Sequence, residues 1–307
     1  MSIKIPCIGE DGKPGWLDLD QVKIDFKGGV TPTPPDPDPL PDPGTDPLKG
    51  AAFYDRFLEL SIEDGQAATR GARWADSFPK MPNGKFGVRR LAGGPNLDQG
   101  VKRFIEGKTH EITENGLMLL AGPDASEKET GYIAGMISAA RSFSYRYGSY
   151  LTRYREVDLV PATHFSDWLL DDQGNWPPEI DKIERIGSNS WFPDGPMDMA
   201  FFNSHGGGPS ITMTDMPPKF FSQWRDLRFD WTPTEMVWSI DGKVYREQKN
   251  YLDRPMYPLL SIELGGDESG NFPGSIRPGQ RWPCKVEIAH IAIWTDEPHY
   301  KNEAAKP

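Results

Sequence analysis

Three carboxylates crowd one short stretch of this chain. They are Glu179, Asp181 and Glu184, in Asn175-Trp176-Pro177-Pro178-Glu179-Ile180-Asp181-Lys182-Ile183-Glu184. Ile180 and Ile183 suit an extended segment. On a regular strand side chains alternate with period two, so Glu179 and Asp181 share a face while Glu184 turns to the other. A single β-bulge between Asp181 and Glu184 adds one residue and brings Glu184 back to the first face. Like charges that close oppose joint ionisation, so at least one of the three carboxyls is expected to hold its proton unusually tightly. One ionised and one protonated carboxyl, about 5–5.5 Å apart, is the arrangement retaining glycoside hydrolysis needs. The competing reading of the same spacing is a solvated acidic strand face without chemistry.

The elements that must position this row read as strands. Residues 147–158 (YGSYLTRYREVD) alternate apolar and polar for most of their length, as do residues 286–294 (VEIAHIAIW). Residues 229–231 and 235–240 are followed by Asp241-Gly242 and then 243–247, and Asp-Gly between alternating runs signals a two-residue hairpin. No long segment keeps a 3.6-residue period, although residues 126–130 and the C-terminal tail suit a helical turn. Many short strands without interleaved helices predict a sandwich or jelly roll. No P-loop is present, and Gly206-Gly207-Gly208 lacks dinucleotide-loop spacing.

The sharpest boundary is residues 31–48, TPTPPDPDPLPDPGTDPL, with 8 prolines and 4 aspartates. Fixed φ angles, missing amide donors and mutual charge repulsion make it an extended, semi-rigid spacer. The division expected is an N-terminal anchor at 1–30, a Pro/Asp-rich linker at 31–49 and a β-sandwich domain at 50–307. The head is too short for a core of its own, and residues 21–26 (QVKIDF) read as one strand that needs a partner, so docking on another assembly is expected.

Of 307 residues, 34 are Lys or Arg and 45 are Asp or Glu, for a formal net charge of −11. An acidic chain lacks the long-range pull toward phosphate that nucleic-acid binders and anionic membrane surfaces demand. Cys7 and Cys284 lie at opposite ends, without metal-ligand spacing, and read as two free thiols. No secretory h-region or membrane span is visible. The expectation is a protein that stays in the cytoplasm or is released by another route, such as host lysis.

Beyond the acidic triplet, the run WPPEIDKIE resembles the active-site signature of family 16 glycoside hydrolases, an ExDxxE pattern at Glu179, Asp181 and Glu184. The likeness extends to residues 132–155, to Trp168-Leu169-Leu170, to FDWTPTEMVWSIDGKVYRE at 229–247, to residues 254–266 and to 287–294. It is good over residues 131–295, weaker over 50–130 and absent before residue 50. The resemblance implies a concanavalin A-like β-sandwich jelly roll and a retaining endo-β-glycosidase of the laminarinase or bacterial exopolysaccharide depolymerase type. It implies Glu179 as nucleophile, Glu184 as acid/base and Asp181 as the assisting residue between them. No cofactor is required; the resemblance allows a structural calcium remote from the site, for which no oxygen-ligand motif is assignable.

Lys182 departs from the family pattern, which has an apolar residue there, and must reach solvent at the bulge or find a partner. His164-Phe165-Ser166-Asp167 is also more polar than the pattern. Candidate sugar-binding residues are Trp176, Trp191, His205, Arg153 and Trp282, while Trp168, Trp231, Trp238 and Trp294 are expected in the core. The expected partner is a polysaccharide, a β-glucan or a bacterial exopolysaccharide or capsule, together with virion or tail proteins reached through residues 1–30. That layout suits a phage tail-associated depolymerase. The alternative is a lectin-like tail or adhesin module that binds without turnover.

Overall fold

The structure, a computed structural model, describes residues 46, 48–63, 71–76, 100–128, 130–187, 198–206, 211–265 and 273–307. It also describes the strands Lys4–Ile8, Pro14–Asp18, Phe78–Lys80 and Lys85–Val88. The chain divides into two units, Met1–Thr45 and Asp46–Pro307.

In the first unit Lys4–Ile8 pairs antiparallel with Pro14–Asp18, from Lys4↔Asp18 to Ile8↔Pro14. Sequence reading placed one strand at 21–26, which lies outside the described residues, and missed this hairpin. Prolines at 6 and 14 argue against strands, but Asp11-Gly12 between the two runs is the turn signal that was overlooked.

The second unit is a sandwich of two large, almost wholly antiparallel sheets. One sheet runs in the order Ile211–Asp215, Met199–His205, Glu179–Ile186, Thr163–Asp171, Met256–Leu264, Met136–Ser138, Trp74–Ala75, Ile62–Glu63. The other runs Lys243–Lys249, Glu235–Ile240, Arg225–Trp231, Gly148–Asp158, Cys284–Trp294, Gly116–Pro123, Tyr132–Ala134, Val101–Lys102. This is the jelly-roll sandwich expected. The Asp-Gly hairpin forms as read: Ile240 pairs with Lys243, and Asp241 (φ 50°) and Gly242 (φ 76°) both take the left-handed region that a tight hairpin of this twist requires. Ser126, Lys128 and Thr130 lie in turns and no helix is assigned among the described residues there, whereas the tail does carry a 3-10 turn at Glu303–Ala305.

Alternate residues of each strand fill the space between the sheets. Tyr150 and Tyr154 from one sheet meet Phe165, Leu169, Ile180 and Ile183 from the other, with Tyr154 stacked on Phe165 at 5.1 Å between ring centroids. Trp231 and Trp238 lie in this core as expected. Trp168 is buried too, in a separate cluster, whereas Trp294 is not. Trp168 alternates with Phe165 and Leu169 and so points the other way, into a small cluster with Leu170, Tyr257 and Leu259. Trp294 is only partly buried and packs on Leu48, Ala51 and Ala292 outside the main core. Leu48, placed in the spacer by sequence, is therefore already part of the folded body. Cys284 is a free, buried thiol beside Thr163; the Cys7 side chain is outside the described residues.

Lys182 turns inward. Its Nζ is 2.7 Å from Asp167 Oδ2, donates to Thr152 Oγ1 at 2.5 Å and lies 3.4 Å from the centre of the Tyr150 ring. Tyr150 also donates its hydroxyl to Asp167 Oδ1 at 2.7 Å. Burial pulls the Lys182 ammonium down to about 8, against the opposing charge of Asp167. Removing one partner of a buried pair strands the other charge, which costs about 3–5 kcal/mol, while replacing both with apolar groups of similar volume is close to neutral. Lys182→Met should therefore destabilise the fold by about 3–5 kcal/mol, and adding Asp167→Leu should recover most of that loss. Urea unfolding of the two variants checks this; equal stabilities for both would show that the pair is not the source.

Candidate active site

The Glu179–Ile186 strand carries one residue more than its neighbours. On one side Asp181 opposes Asn203 and Glu184 opposes Phe201, three residues against two. On the other, Asp181 opposes Trp168 and Ile183 opposes Asp167. The bulge thus lies at Lys182, where the spacing of the acids required it. Ile180, Lys182 and Ile183 point into the sandwich, and Glu179, Asp181 and Glu184 project together from the opposite face.

Two contacts from elsewhere hold the kink. Across the core, Trp238 Nε1 donates to the Asp181 carbonyl at 3.1 Å. From the other sheet, Tyr150 and Thr152 receive the inward Lys182. Beyond the last acid, Arg185 is buried against Glu156 at 2.6 Å and fixes the far end of the strand.

The row is densely partnered. Trp176 Nε1 donates to Glu179 Oε2 at 3.1 Å, although the Trp176 side chain is 61% exposed. His205 Nε2 lies 3.4 Å from Glu179 Oε1 and 3.4 Å from Asp181 Oδ2. The Trp176 and His205 rings are 6.1 Å apart. Gly206 lets that contact form: its φ is 106°, and a Cβ there would meet Pro177 at 2.8 Å. Glu184 receives Asn203 Nδ2 on Oε2 and His164 Nε2, 3.0 Å away, on Oε1.

Electrostatics follow from that crowding. Burial, then the charges of Asp181 and Glu184, push Glu179 well above the usual carboxylate range, against the Trp176 hydrogen bond. Burial and Glu184 push Asp181 up to about 6, against His205. The Asp181 hydrogen bond in turn raises His205. The row therefore binds a proton more tightly than separate carboxylates would, and that affinity belongs to the Glu179–Asp181 pair as a unit. One ligand atom each from Glu179, Asp181 and His205 lies within 4.8 Å of the others, so these groups could also surround a cation. They are the same groups whose proton affinity is raised.

Of the binding residues read from sequence, the structure brings Trp176 and His205 to the row. Arg153 is a correction. Its neighbours Thr152 and Tyr154 point into the core, so Arg153 projects from the far side of the other sheet, paired with Asp226 at 3.0 Å. Trp282 lines a cavity of about 610 Å³ with Lys108, Asp124, Ser126 and Ile133, and no member of the acidic row lines it. Trp191 lies outside the described residues. Asn203, His164, Glu263 and Trp168 were missed. Asn203 was within reach, since period two puts it on the same face as His205. Trp168 opposes Asp181 directly and donates Nε1 to Ser261 Oγ at 3.1 Å.

Comparison with known proteins adds the following. The family model described as "Glycosyl hydrolases family 16" matches residues 103–269. The chain is 30% identical over 229 residues to the endo-1,3-1,4-beta-glycanase EglC of Rhizobium meliloti (strain 1021), covering 70% of this chain and 46% of that protein. It is 28% identical over 262 residues to the endo-1,3-1,4-beta-glycanase ExsH of the same organism, covering 79% and 51%. It thus spans about half the length of these curated relatives. Its fold is similar to the catalytic domain of an endo-1,3-beta-glucanase (laminarinase) from Thermotoga petrophila RKU-1, with a TM-score of 0.60 at 20% identity over 82% of this chain and 98% of that one.

Asp181 supplies a direct test of the strain. Its folded-state proton affinity is raised, so the stability it contributes is complete below about pH 4 and is lost as pH rises through about 6. Asp181→Asn should be more stable than the parent at pH 7, by on the order of 1–3 kcal/mol, with the difference closing at pH 4. Urea midpoints at the two pH values measure it; a variant no more stable at pH 7 would mean that the acid is not strained.

Proposed function

Because the chain belongs to glycosyl hydrolases family 16, we propose that it is a retaining endo-β-glycosidase that cuts a β-linked polysaccharide. The observation that carries this reading is the bulge at Lys182, which gathers Glu179, Asp181 and Glu184 on one face despite their uneven spacing. Glu179 attacks the anomeric carbon while Glu184 gives a proton to the leaving oxygen. The bond from that carbon to the leaving oxygen breaks and an ester to Glu179 forms. Glu184, now a carboxylate, takes a proton from water, which opens the ester with net retention.

The shared proton suits this chemistry. For attack Glu179 must be the ionised member of the pair, with the proton moved to Asp181. Trp176 Nε1 and His205 both favour that anion. As negative charge leaves Glu179 during attack, the repulsion within the row relaxes. No cofactor enters these steps.

The names of the two Rhizobium relatives support a substrate with β-1,3 or β-1,4 linkages, a β-glucan or a bacterial exopolysaccharide. The exposed Trp176 ring offers an apolar face for a sugar, beside His205. Asn203 Oδ1 is buried without a hydrogen-bond donor among the described residues and would accept a sugar hydroxyl. Trp191 remains a further candidate wall. We read the Met1–Thr45 unit as a docking element, with a virion or tail assembly as partner and action outside the cell; the support is the Pro/Asp-rich spacer alone.

Reducing-end release from laminarin, lichenan, agarose and host exopolysaccharides tests the reading. The parent should cleave at least one of them, and Glu179→Gln should lose at least ~10³-fold of that activity. Undiminished cleavage by the variant would sink the assignment of Glu179, and tight binding without turnover would identify the lectin-like alternative.

A further inference from the structure

Behind the acidic row runs a second set of polar side chains that the row's own geometry does not require. His164, on the Thr163–Asp171 strand, lies between two carboxylates. Its Nε2 is 3.0 Å from Glu184 Oε1 and its Nδ1 is 2.6 Å from Glu263 Oε2. Ser166 Oγ is also 2.8 Å from Nε2. Glu263 comes from the Met256–Leu264 strand, directly opposite His164 in register. It is anchored in turn: Ser261 Oγ donates to Glu263 Oε1 at 2.5 Å, and Trp168 Nε1 donates to that same hydroxyl. Three adjacent strands thus present an unbroken polar chain from Glu184 through His164 to Glu263. The side chains of His164, Glu184 and Glu263 are each only 10–11% exposed.

Hydrogen-bond inventory constrains this chain. A neutral imidazole carries one N–H and one lone pair. With both carboxylates ionised, a neutral His164 would set its lone pair against an anionic oxygen at one of the two short contacts. Both contacts are satisfied when both ring nitrogens carry protons, or when one carboxyl supplies the proton instead. The group Glu184–His164–Glu263 therefore holds at least one proton more than two carboxylates and a neutral ring, and a further one when Glu184 stands ready as the acid.

We propose that Glu263 and His164 form a positioning pair for Glu184, orienting its carboxyl and stabilising the carboxylate it becomes on protonating the leaving oxygen. This rests on the assignment of Glu184 as acid/base in the preceding section. The consequence is asymmetric: stabilising the carboxylate favours proton donation in the first step and opposes proton uptake in the second. Burial opposes the imidazolium, but Glu263 and Glu184 outweigh it and lift His164 to about 10. The charges facing this group come from several elements. They are Glu179, Asp181 and Glu184 on the bulged strand, Glu263 opposite, Lys102 acting on Glu263, and His205 across the row. The acids outnumber the cations there, so a protonated ring is the balancing charge.

The first readout does not involve turnover. In full-length Glu179→Gln protein, nitrogen-15 spectra of the His164 ring should show both nitrogens protonated through pH 8, and adding Glu263→Gln should lower the titration by at least about one unit. A ring that titrates near the ordinary ~6.5 with Glu263 in place overturns the inference. The second readout is the pH profile of hydrolysis. His164→Gln, which removes the cation, should move the alkaline limb upward by about one unit, whereas Glu263→Gln, which removes an anion and leaves the ring charged, should move it slightly downward. They should lower kcat by roughly ten- to a hundredfold, part of the ~10²–10⁴ that acid–base catalysis supplies. The loss should be smaller on aryl β-oligoglucosides, whose leaving groups need little protonation. Unmoved limbs in both variants overturn the inference even where kcat falls. Glu184→Gln with added azide separates the two assignments. Failure of azide to restore turnover of the aryl substrate defeats the acid/base assignment itself, whereas rescue alongside unmoved limbs defeats only the positioning pair.

Discussion

One extra residue in one strand sets the terms for the rest of the site. Without the bulge at Lys182, a strand bearing acids at 179, 181 and 184 would divide them between a sheet face and the core. With it, all three acids share a face, and the surplus falls on the core side, where Lys182 and Ile183 both point inward. A lysine in an aromatic core demands an anion. Asp167 meets it from the neighbouring strand, and Tyr150 and Thr152 close the group from the opposite sheet. The Trp238 indole then takes the Asp181 carbonyl at the kink. The backbone irregularity that builds the site is thus tied to the packing between the sheets, and the core is polar at the one place where the strand is irregular.

The exposed side of the same strand is organised by charge balance. Three carboxylates from one strand and a fourth, Glu263, from another meet only two imidazoles, His164 and His205. The histidines interleave with the acids, each touching two of them. Burial and mutual repulsion raise the proton affinity of Glu179 and Asp181, and the two imidazoles offset part of the charge. A folded chain that retains such strain gives up stability for a set of groups whose protonation can shift during a reaction.

The outline of the fold was legible from alternation and turn residues. Asp241-Gly242, the strands on either side of it and the two long strands at 148–158 and 284–294 follow from period two and hairpin chemistry. The acidic row was legible too, because only a bulge reconciles its spacing with a shared face. Alternation nonetheless says that faces differ, not which face is inside. Trp168 is buried as expected, but in a separate cluster on the other face of its strand, and Trp294 is only partly buried. Arg153 was given to the cleft, yet its strand belongs to the far sheet. The hairpin of the first unit was missed because prolines masked a turn signal that was present.

The sequence by itself determined the repeating extended character of the chain, the acidic row and the need for a bulge, since these depend on residues a few positions apart. Only the tertiary structure decided what surrounds them. Lys182 and Asp167 are 15 positions apart, His164 and Glu263 are 99 apart, and Trp238 is 57 from the carbonyl it holds. Such partners meet because sheet order places distant strands side by side and layers them face to face, and local sequence carries no measure of that order. The polar residues at 164, 167 and 182 marked departures from an apolar pattern, but their role became physical only when the folded sheets supplied each with a partner.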